Sequence, residues 1–518
     1  VPDVLPPAPR PGPELSALRE DLAAARYTVD GVAERLGDTA RRALDRNRAL
    51  PARRVLAGSS DPTAVLLRLF LLGDTVPRRA VDAAAPGTRT AGLLSLGLVD
   101  ATADEVRATV DLEPHAVADD AGEATWWVVS DHGEIALAGR PLPPGHVLGV
   151  GAAGLTLATA VLPPLPGQLA ADVGCGSGVQ TLHLSRGTDR LVATDVSARA
   201  AAFARVTTRL NGVPAEVRVG DLAAPLDRPV DRLVANLPFV VTPRGGPVPR
   251  YTYRDGGAVG DGMSARAFRE FPARLALGGV AQFLANWEVR SGEDWDERVR
   301  AWVDDAAAGV PGHALDAWVV QRELADPALY AETWVADGGR PDAATERAWS
   351  EAWLDDLESR DVEAVGFGIV TLRRRDGAAA LRRFDDHPQP LPGPLRDALA
   401  AGLAGHDALR RAGAHADPVR LLPLRLAVAD GLREHRDHRP GQPDPEVIAL
   451  VDTRRLGATG QVSTALAATV GACDGELPVA AITTAVAALL DAGDGEVRDR
   501  VLPALVRLVA DGSLTVAD

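Results

Sequence analysis

The sequence predicts an α/β protein whose core, residues 145–380, is a seven-stranded doubly wound sheet, with mainly helical domains before and after it. Three observations predict this class. Short apolar runs alternate with amphipathic stretches through 145–380, the pattern of βα units laid on a parallel sheet. The segment Asp172-Val173-Gly174-Cys175-Gly176-Ser177-Gly178 joins an apolar run to a helical one, so the chain turns sharply where its backbone can approach a ligand. The next apolar runs end in Asp195, Asp221 and Asn236, which lines up polar side chains along one sheet edge.

The elements follow in order. A Pro-rich leader covers 1–13. Residues 14–144 form an N-terminal helical domain, with apolar stripes at 15–25, 32–36 and 64–72, then two β-like runs at 106–112 and 125–130. Helices followed by a short hairpin suggest a winged helix. The core strands are expected at 169–173, 191–194, 216–219, 232–235, 280–285, 317–321 and 365–372. The Pro-rich stretch 387–394 opens a C-terminal domain, 381–518, interrupted again at 440–445. Its elements at 479–490, 501–510 and 512–516 repeat the order helix, helix, short strand, a second winged-helix-like pattern.

At 518 residues the chain is too long for one core, and two to four domains are expected. All 55 basic residues are arginine and the formal charge is −16, which argues against a surface that coats nucleic acid generally but not against a local basic groove. Cys175 and Cys473 give neither a disulfide framework nor a metal-ligand spacing. With no leader-type apolar segment and no run of 18 apolar residues, the expectation is a cytoplasmic protein with no membrane partner and no metal.

Val192-Ala193-Thr194-Asp195 ends the second core strand with a carboxylate placed to accept hydrogen bonds from ribose hydroxyls, and Ser197 caps the next helix. Val219-Gly220-Asp221-Leu222 puts another acid on the same edge. A dinucleotide site is the rival reading, because an acid after the second strand serves it equally, but the 174–178 loop lacks the GxGxxG spacing. Gly149-Val150-Gly151-Ala152-Ala153-Gly154 has that spacing without a strand before it and reads as a lead-in loop and helix.

These strand ends, in this order, resemble the class I S-adenosylmethionine-dependent methyltransferases over residues 145–375, with their Rossmann-like sheet. The resemblance implies S-adenosyl-L-methionine as cofactor. Gly174, Cys175, Gly176 and Gly178 would pass under its methionine part, Asp172 would face its amine, and Gly151 would touch its methionine end. Asp195 with Val196 would hold the ribose, and Asp221 with Leu222 the adenine.

The fourth strand ends in Asn236-Leu237-Pro238-Phe239, which resembles the Asn-Pro-Pro-Phe motif of methyltransferases acting on planar nitrogen. By that resemblance Asn236 and the Leu237 carbonyl would accept hydrogen bonds from the acceptor amine, and Asn236 would also border the cofactor. Phe239 would stack on the planar group, making positioning the main catalytic contribution. Leu237 departs from the family's proline, while Pro238 still keeps Leu237 out of the helical region. Enzymes methylating guanine N1 in transfer RNA carry Asn-Leu-Pro here.

Downstream, residues 241–254 are basic, aromatic and free of acids. Arg244, Arg250, Tyr251, Tyr253 and Arg254 are candidate substrate ligands, able to bind phosphate and stack on bases. Seven of the nine tryptophans lie at 287–353, where core packing explains them, and His183 reads as structural. The order of flanking and core regions resembles a group of actinobacterial methyltransferases, on Phe70-Leu71-Leu72-Gly73, Trp126-Trp127-Val128-Val129-Ser130-Asp131, His146-Val147-Leu148-Gly149-Val150-Gly151 and Tyr253-Arg254-Asp255-Gly256-Gly257. The expected activity is N-methylation of a nucleic-acid base, RNA favoured. The alternatives are an amide or amine of a protein, peptide or small metabolite, and a non-catalytic cofactor- or DNA-binding module.

Overall fold

The computed structural model describes residues 5–119, 121–137, 140, 142–337, 342–377, 381–456 and 459–517. It divides into two compact units, Val1–Ala158 with Pro163–Phe384, and Thr159–Leu162 with Asp385–Asp518. Among the described residues no helix is long and apolar enough to cross a membrane.

The core sheet has eight strands: β1 Leu169–Val173, β2 Arg190–Asp195, β3 Ala215–Val219, β4 Val230–Ala235, β5 Leu275–Arg290, β6 Ala314–Ala325, β7 Val362–Arg375 and β8 Arg382–Asp386. Their spatial order is β8-β6-β7-β5-β4-β1-β2-β3. All seven expected strands are present. The eighth is a correction: Arg-Arg-Phe-Asp-Asp shows no apolar alternation, yet an edge position tolerates charge. It is held by Ala317 N–H donating to Leu381 O at 2.9 Å and by Arg383 lying 4.3 Å from the Trp318 ring centre.

Nor is the sheet parallel throughout. Strands β3, β2, β1, β4 and β5 run parallel, but β7 is inserted antiparallel between β5 and β6. The two helices after β6, Pro327–Asp337 and Ala343–Glu358, return the chain reversed. A dinucleotide fold would continue 3-2-1-4-5-6, so the inserted strand separates this sheet from that rival. Buried apolar residues from successive strands, among them Val173, Leu233, Phe283 and Val370, face helices carrying Phe268 and Val303. Phe268 and Phe271 both meet Phe283 edge-on, at ring separations of 5.3 Å.

The N-terminal region shares a core with the helix Ala198–Leu210, whose Phe203, Val206 and Leu210 pack among Leu18, Tyr27 and Phe70. The single run expected at 106–112 is two strands. Glu105–Ala108 pairs with Val99–Ala101 and Val76–Pro77, while Asp111–Asp119 pairs with Gly122–Ser130. The break falls at Thr109, whose N–H turns aside to Leu98 O. The second hairpin is docked by side chains of the helix Ala198–Leu210 and its cap. Asn211 accepts from Trp127 N–H (2.9 Å) and donates to Trp127 O (2.7 Å), and Thr207 Oγ1 accepts from Val129 N–H (3.1 Å).

In the second unit a three-stranded sheet, Asp474–Pro478, Arg425–Val428 and Leu514–Val516, shares a core with helices Thr464–Gly471, Val479–Leu489 and Asp494–Ala510. A further sheet, Leu432–Asp437, Val447–Asp452 and Thr459–Gln461, lies among segments that sequence patterning left unassigned.

Candidate active site

In the observed strand order β1 lies between β2 and β4, so the chain leaves β1 at the point where strand order reverses. In open α/β sheets that point is a crevice at the carboxyl edge. The turn after β1 places Gly174, Gly176 and Gly178 all in the left-handed region, at φ of 73°, 53° and 90°, which a side chain would oppose. Gly174 and Cys175 N–H both donate to Thr194 O, fixing the loop against the end of β2. A Cβ at Gly178 would also stand 3.4 Å from Ala204 Cα.

Asp195, at the end of β2, is oriented from both sides. One carboxylate oxygen accepts Gly176 N–H at 2.9 Å and the other Ser197 N–H at 2.8 Å. Burial raises its carboxyl above the ordinary aspartate range, while those two bonds act in the opposite sense. Asp172 is buried beneath the loop. One of its oxygens accepts the Thr181 hydroxyl at 2.6 Å, and the other has no partner among the described residues. Burial pushes Asp172 up to about 7. Burial likewise pushes the Cys175 thiol up, which disfavours the thiolate.

After β3, Asp221 accepts from Arg266 at 2.8 Å, and Leu222 has a left-handed backbone at φ 45°, its carbonyl held by the Thr194 hydroxyl. Such strain in a residue other than glycine costs about 1–3 kcal/mol and persists only where its surroundings hold it. After β4, Phe239 N–H donates back to Leu237 O at 2.9 Å, a tight turn centred on Pro238. One lone pair of the Leu237 carbonyl is therefore engaged within the chain, and the other remains. The Phe239 ring lies 5.5 Å from that of Phe367 on β7.

These loops surround a cavity of about 800 Å³, within the usual range for small-molecule sites. Its wall brings together Gly151, Gly174, Cys175, Gly176, Asp195 and Val196 from the first two strand ends and the lead-in loop. Asp221, Leu222 and the whole Asn236, Leu237, Pro238, Phe239 turn join them, with Tyr253 and Arg254. Five expected residues lie outside the wall: Asp172 and Gly178, which act behind the loop, and Arg244, Arg250 and Tyr251. Arg244 is paired with the buried Asp255 at 2.6 Å, Arg250 donates to the Arg244 carbonyl, and Tyr251 is stacked beneath Tyr253. Even Arg254, in the wall, is bound to Asp337 at 2.7 Å and to Trp334 O. The loop's arginines hold its own fold.

Sequence reasoning missed Thr333, Trp334 and Asp337, contributed to the wall by the helix Pro327–Asp337. Trp334 is thus a wall residue, whereas Trp287, Trp318 and Trp353 are buried in the core as expected. His183 is outside the cavity, its Nε2 3.0 Å from that of His115, in keeping with a structural role.

Residues 152–244 match a family model described as a methyltransferase small domain, spanning the glycine loop, Asp195, Asp221 and the Asn236 turn. The chain carries a class I S-adenosylmethionine-dependent methyltransferase domain. Ahead of that domain, residues 24–109 match a model described as a domain of unknown function (DUF7059). The chain is 30% identical over 145 residues to ribosomal RNA small subunit methyltransferase C of Alcanivorax borkumensis, covering 28% of this chain and 38% of that protein. It is 36% identical over 78 residues to the protein of that name from Sodalis glossinidius, covering 15% of this chain and 22% of that one. The match therefore spans well under half the length of either relative. Among solved structures, geranyl diphosphate C-methyltransferase from Streptomyces coelicolor, in complex with Mg2+, geranyl diphosphate and S-adenosyl-L-homocysteine, aligns at a TM-score of 0.27. The identity is 16%, over 43% of this chain and 78% of that one.

The residues of the methyltransferase domain fit its cofactor. Gly174 and Gly176 leave the wall free of side chains, and a Cβ at Gly151 or Gly176 would meet nothing within 4 Å. Asp195 adds a carboxylate fixed in orientation beside them. Among the described residues no group of three His, Cys, Asp or Glu side chains could hold a metal ion.

Proposed function

We propose that the protein methylates a planar nitrogen of a nucleic-acid base, RNA being the favoured acceptor. The observation that carries this reading is that the Asn236–Phe239 turn opens on the same cavity as the glycine loop and Asp195. The names of the two curated relatives, both ribosomal RNA methyltransferases, support the choice of RNA.

S-adenosylmethionine, when bound, supplies an electrophilic methyl group. Asp195 would hold its ribose hydroxyls, with Gly174, Cys175, Gly176 and Gly151 around its methionine part and Asp221 and Leu222 toward the base. Asp172 would act from behind, shaping the loop through Thr181, rather than by contact. The delocalised lone pair of an exocyclic or ring nitrogen is a poor nucleophile. Asn236 Oδ1 and the free lone pair of the Leu237 carbonyl would accept hydrogen bonds from that nitrogen and favour its reactive geometry, while Phe239 would fix the plane of the ring. The N-terminal order of helix, strand, two helices and hairpin supports a winged-helix reading of that region, suited to holding a polymer.

One observation favours an amide or amine acceptor in a protein, peptide or small metabolite: Arg244 and Arg254 are engaged by Asp255 and Asp337 instead of being free for phosphate. Tritiated methyl transfer to total RNA, DNA and protein separates the two. Label in RNA is expected, and label confined to protein would overturn the RNA reading.

A further inference from the structure

A second cavity, of about 260 Å³, adjoins the first through His146, which lines both. Its wall takes Arg107 from the strand Glu105–Ala108, His132 and Arg140 from the segment after the strand Gly122–Ser130, and His146 from the lead-in loop. The N-terminal region and the methyltransferase domain therefore build it together, within one compact unit.

The charges in this wall are disposed differently from those of the larger cavity. There the wall residue Arg254 holds Asp337, and the wall carboxylates Asp255 and Asp221 are held from outside it by Arg244 and Arg266. Here, among the described residues, Arg107 has no ion pair, and the only side-chain hydrogen bond of Arg140 is from Nε to Leu137 O at 3.1 Å. Of the two acids in the wall, Asp131 is neutralised by a two-pronged contact from Arg199 and also accepts Val147 N–H. Asp100, opposite Arg107 in the strand pair, leaves an excess of positive charge in a chain of net charge −16. Charge on the two histidines is disfavoured. Burial lowers both below the ordinary imidazole range, and the neighbouring Arg107 and Arg140 lower His132 further, although Asp131 opposes this for both rings. His132 Nε2 is bonded to Ala108 O at 3.0 Å, and its Nδ1 is buried without a hydrogen-bond partner among the described residues.

We propose that this smaller cavity is a phosphate subsite for the acceptor strand, in which Arg107 and Arg140 clamp a backbone phosphate of an RNA whose target base enters the larger cavity past His146. Guanidinium groups free of internal carboxylates are the groups suited to two-pronged phosphate contact. The subsite rests on the reading that the acceptor is RNA. It would assign to the N-terminal region the job of positioning the polymer, with Arg107 a positioning residue and not a catalytic one.

The test uses the full chain, a single-stranded oligouridylate for equilibrium binding across a potassium chloride series, and total RNA with tritiated S-adenosylmethionine for turnover. Each phosphate contact to a single strand contributes about 0.7 to the slope of log affinity against log salt. The R107Q/R140Q double variant should therefore lose about 1.4 from that slope, and Arg107→Gln alone about half as much. KM for RNA should rise about tenfold with kcat unchanged, and the unfolding midpoint should not move. Wild-type label in RNA with an unaltered slope and KM in the double variant would overturn the subsite and leave the acceptor reading standing. An arginine-dependent slope with label confined to protein would overturn both the acceptor reading and the subsite's role in holding an acceptor strand.

Discussion

Replacing Asp172 by Asn tests whether the carboxylate beneath the glycine loop is held against its own ionisation. The side chain is 1% exposed, one oxygen accepts the Thr181 hydroxyl and the other has no partner among the described residues, so an isosteric amide keeps the shape and removes the charge. Burial raises the carboxyl from 3.8 to about 7, with the nearby Asp195 adding to the rise. A group whose folded value is raised contributes stability that is complete below the unfolded value, near 4, and is lost as pH rises through about 7. At ~1.4 kcal/mol per tenfold change, that difference amounts to up to ~4 kcal/mol between pH 4 and pH 8. The assay is urea unfolding followed by tryptophan fluorescence, a probe confined to the unit that holds the site, because all nine tryptophans lie between 126 and 353. The buried Asp111 and Glu113, raised by burial in the same direction, are common to both proteins and cancel in the difference. The wild type should lose stability relative to D172N as pH rises from 4 to 8, the two converging at the acid end. Parallel curves would refute the placement of an unpaired carboxyl beneath the loop.

Asp195→Ala should weaken S-adenosylmethionine binding roughly 100-fold in calorimetry, the loss of two hydrogen bonds to a charged acceptor at about 1.5 kcal/mol each. Asn236→Ala should leave that affinity unchanged and remove turnover; equal loss of binding in both variants would contradict their division of roles. Asn211→Ala leaves Trp127 N–H and O without their side-chain partner and should cost about 2–3 kcal/mol in urea unfolding, whereas a change below about 0.5 kcal/mol would mean the hairpin is not docked through it. Leu237→Pro restores the more common motif at a position whose carbonyl is retained, so turnover within about threefold of wild type is expected, and loss of measurable turnover would show that the leucine side chain, buried against Gly174, shapes the site.

The glycine-loop half of the candidate site was legible because its geometry is local in sequence. Three left-handed glycines within five residues, a carboxylate at the next strand end and a helix cap two residues later all read directly from spacing, and the structure joins them through bonds spanning 2 to 19 residues. The seven strands were legible for the same reason, their apolar runs being continuous. What patterning missed depends on distant partners. The strand Arg382–Asp386 is charged at four of its five positions and becomes a strand only because β6 offers it an edge. The helix carrying Trp334 and Asp337 reaches the cavity only because β7 turns back between β5 and β6, a reversal that no local pattern announces.

The same distinction decides where an acceptor could find positive charge. In sequence the arginines of 241–254 stand among aromatics in a stretch that itself holds no acid, which is the composition of a phosphate-binding loop. Their acids come from farther off: Asp255 lies eleven residues beyond Arg244, and Asp337 lies 83 residues beyond Arg254. Once those pairs form, the loop is a rim beside Phe239, tied across by Val240 N–H to Arg254 O. A phosphate drawn to Arg244 or Arg254 would have to displace a carboxylate already in hydrogen-bond contact, in pairs that each bury one partner. Arg107 and Arg140 present no such cost. A polymer acceptor is therefore better held from the N-terminal side, past His146, than from the loop that sequence composition singled out.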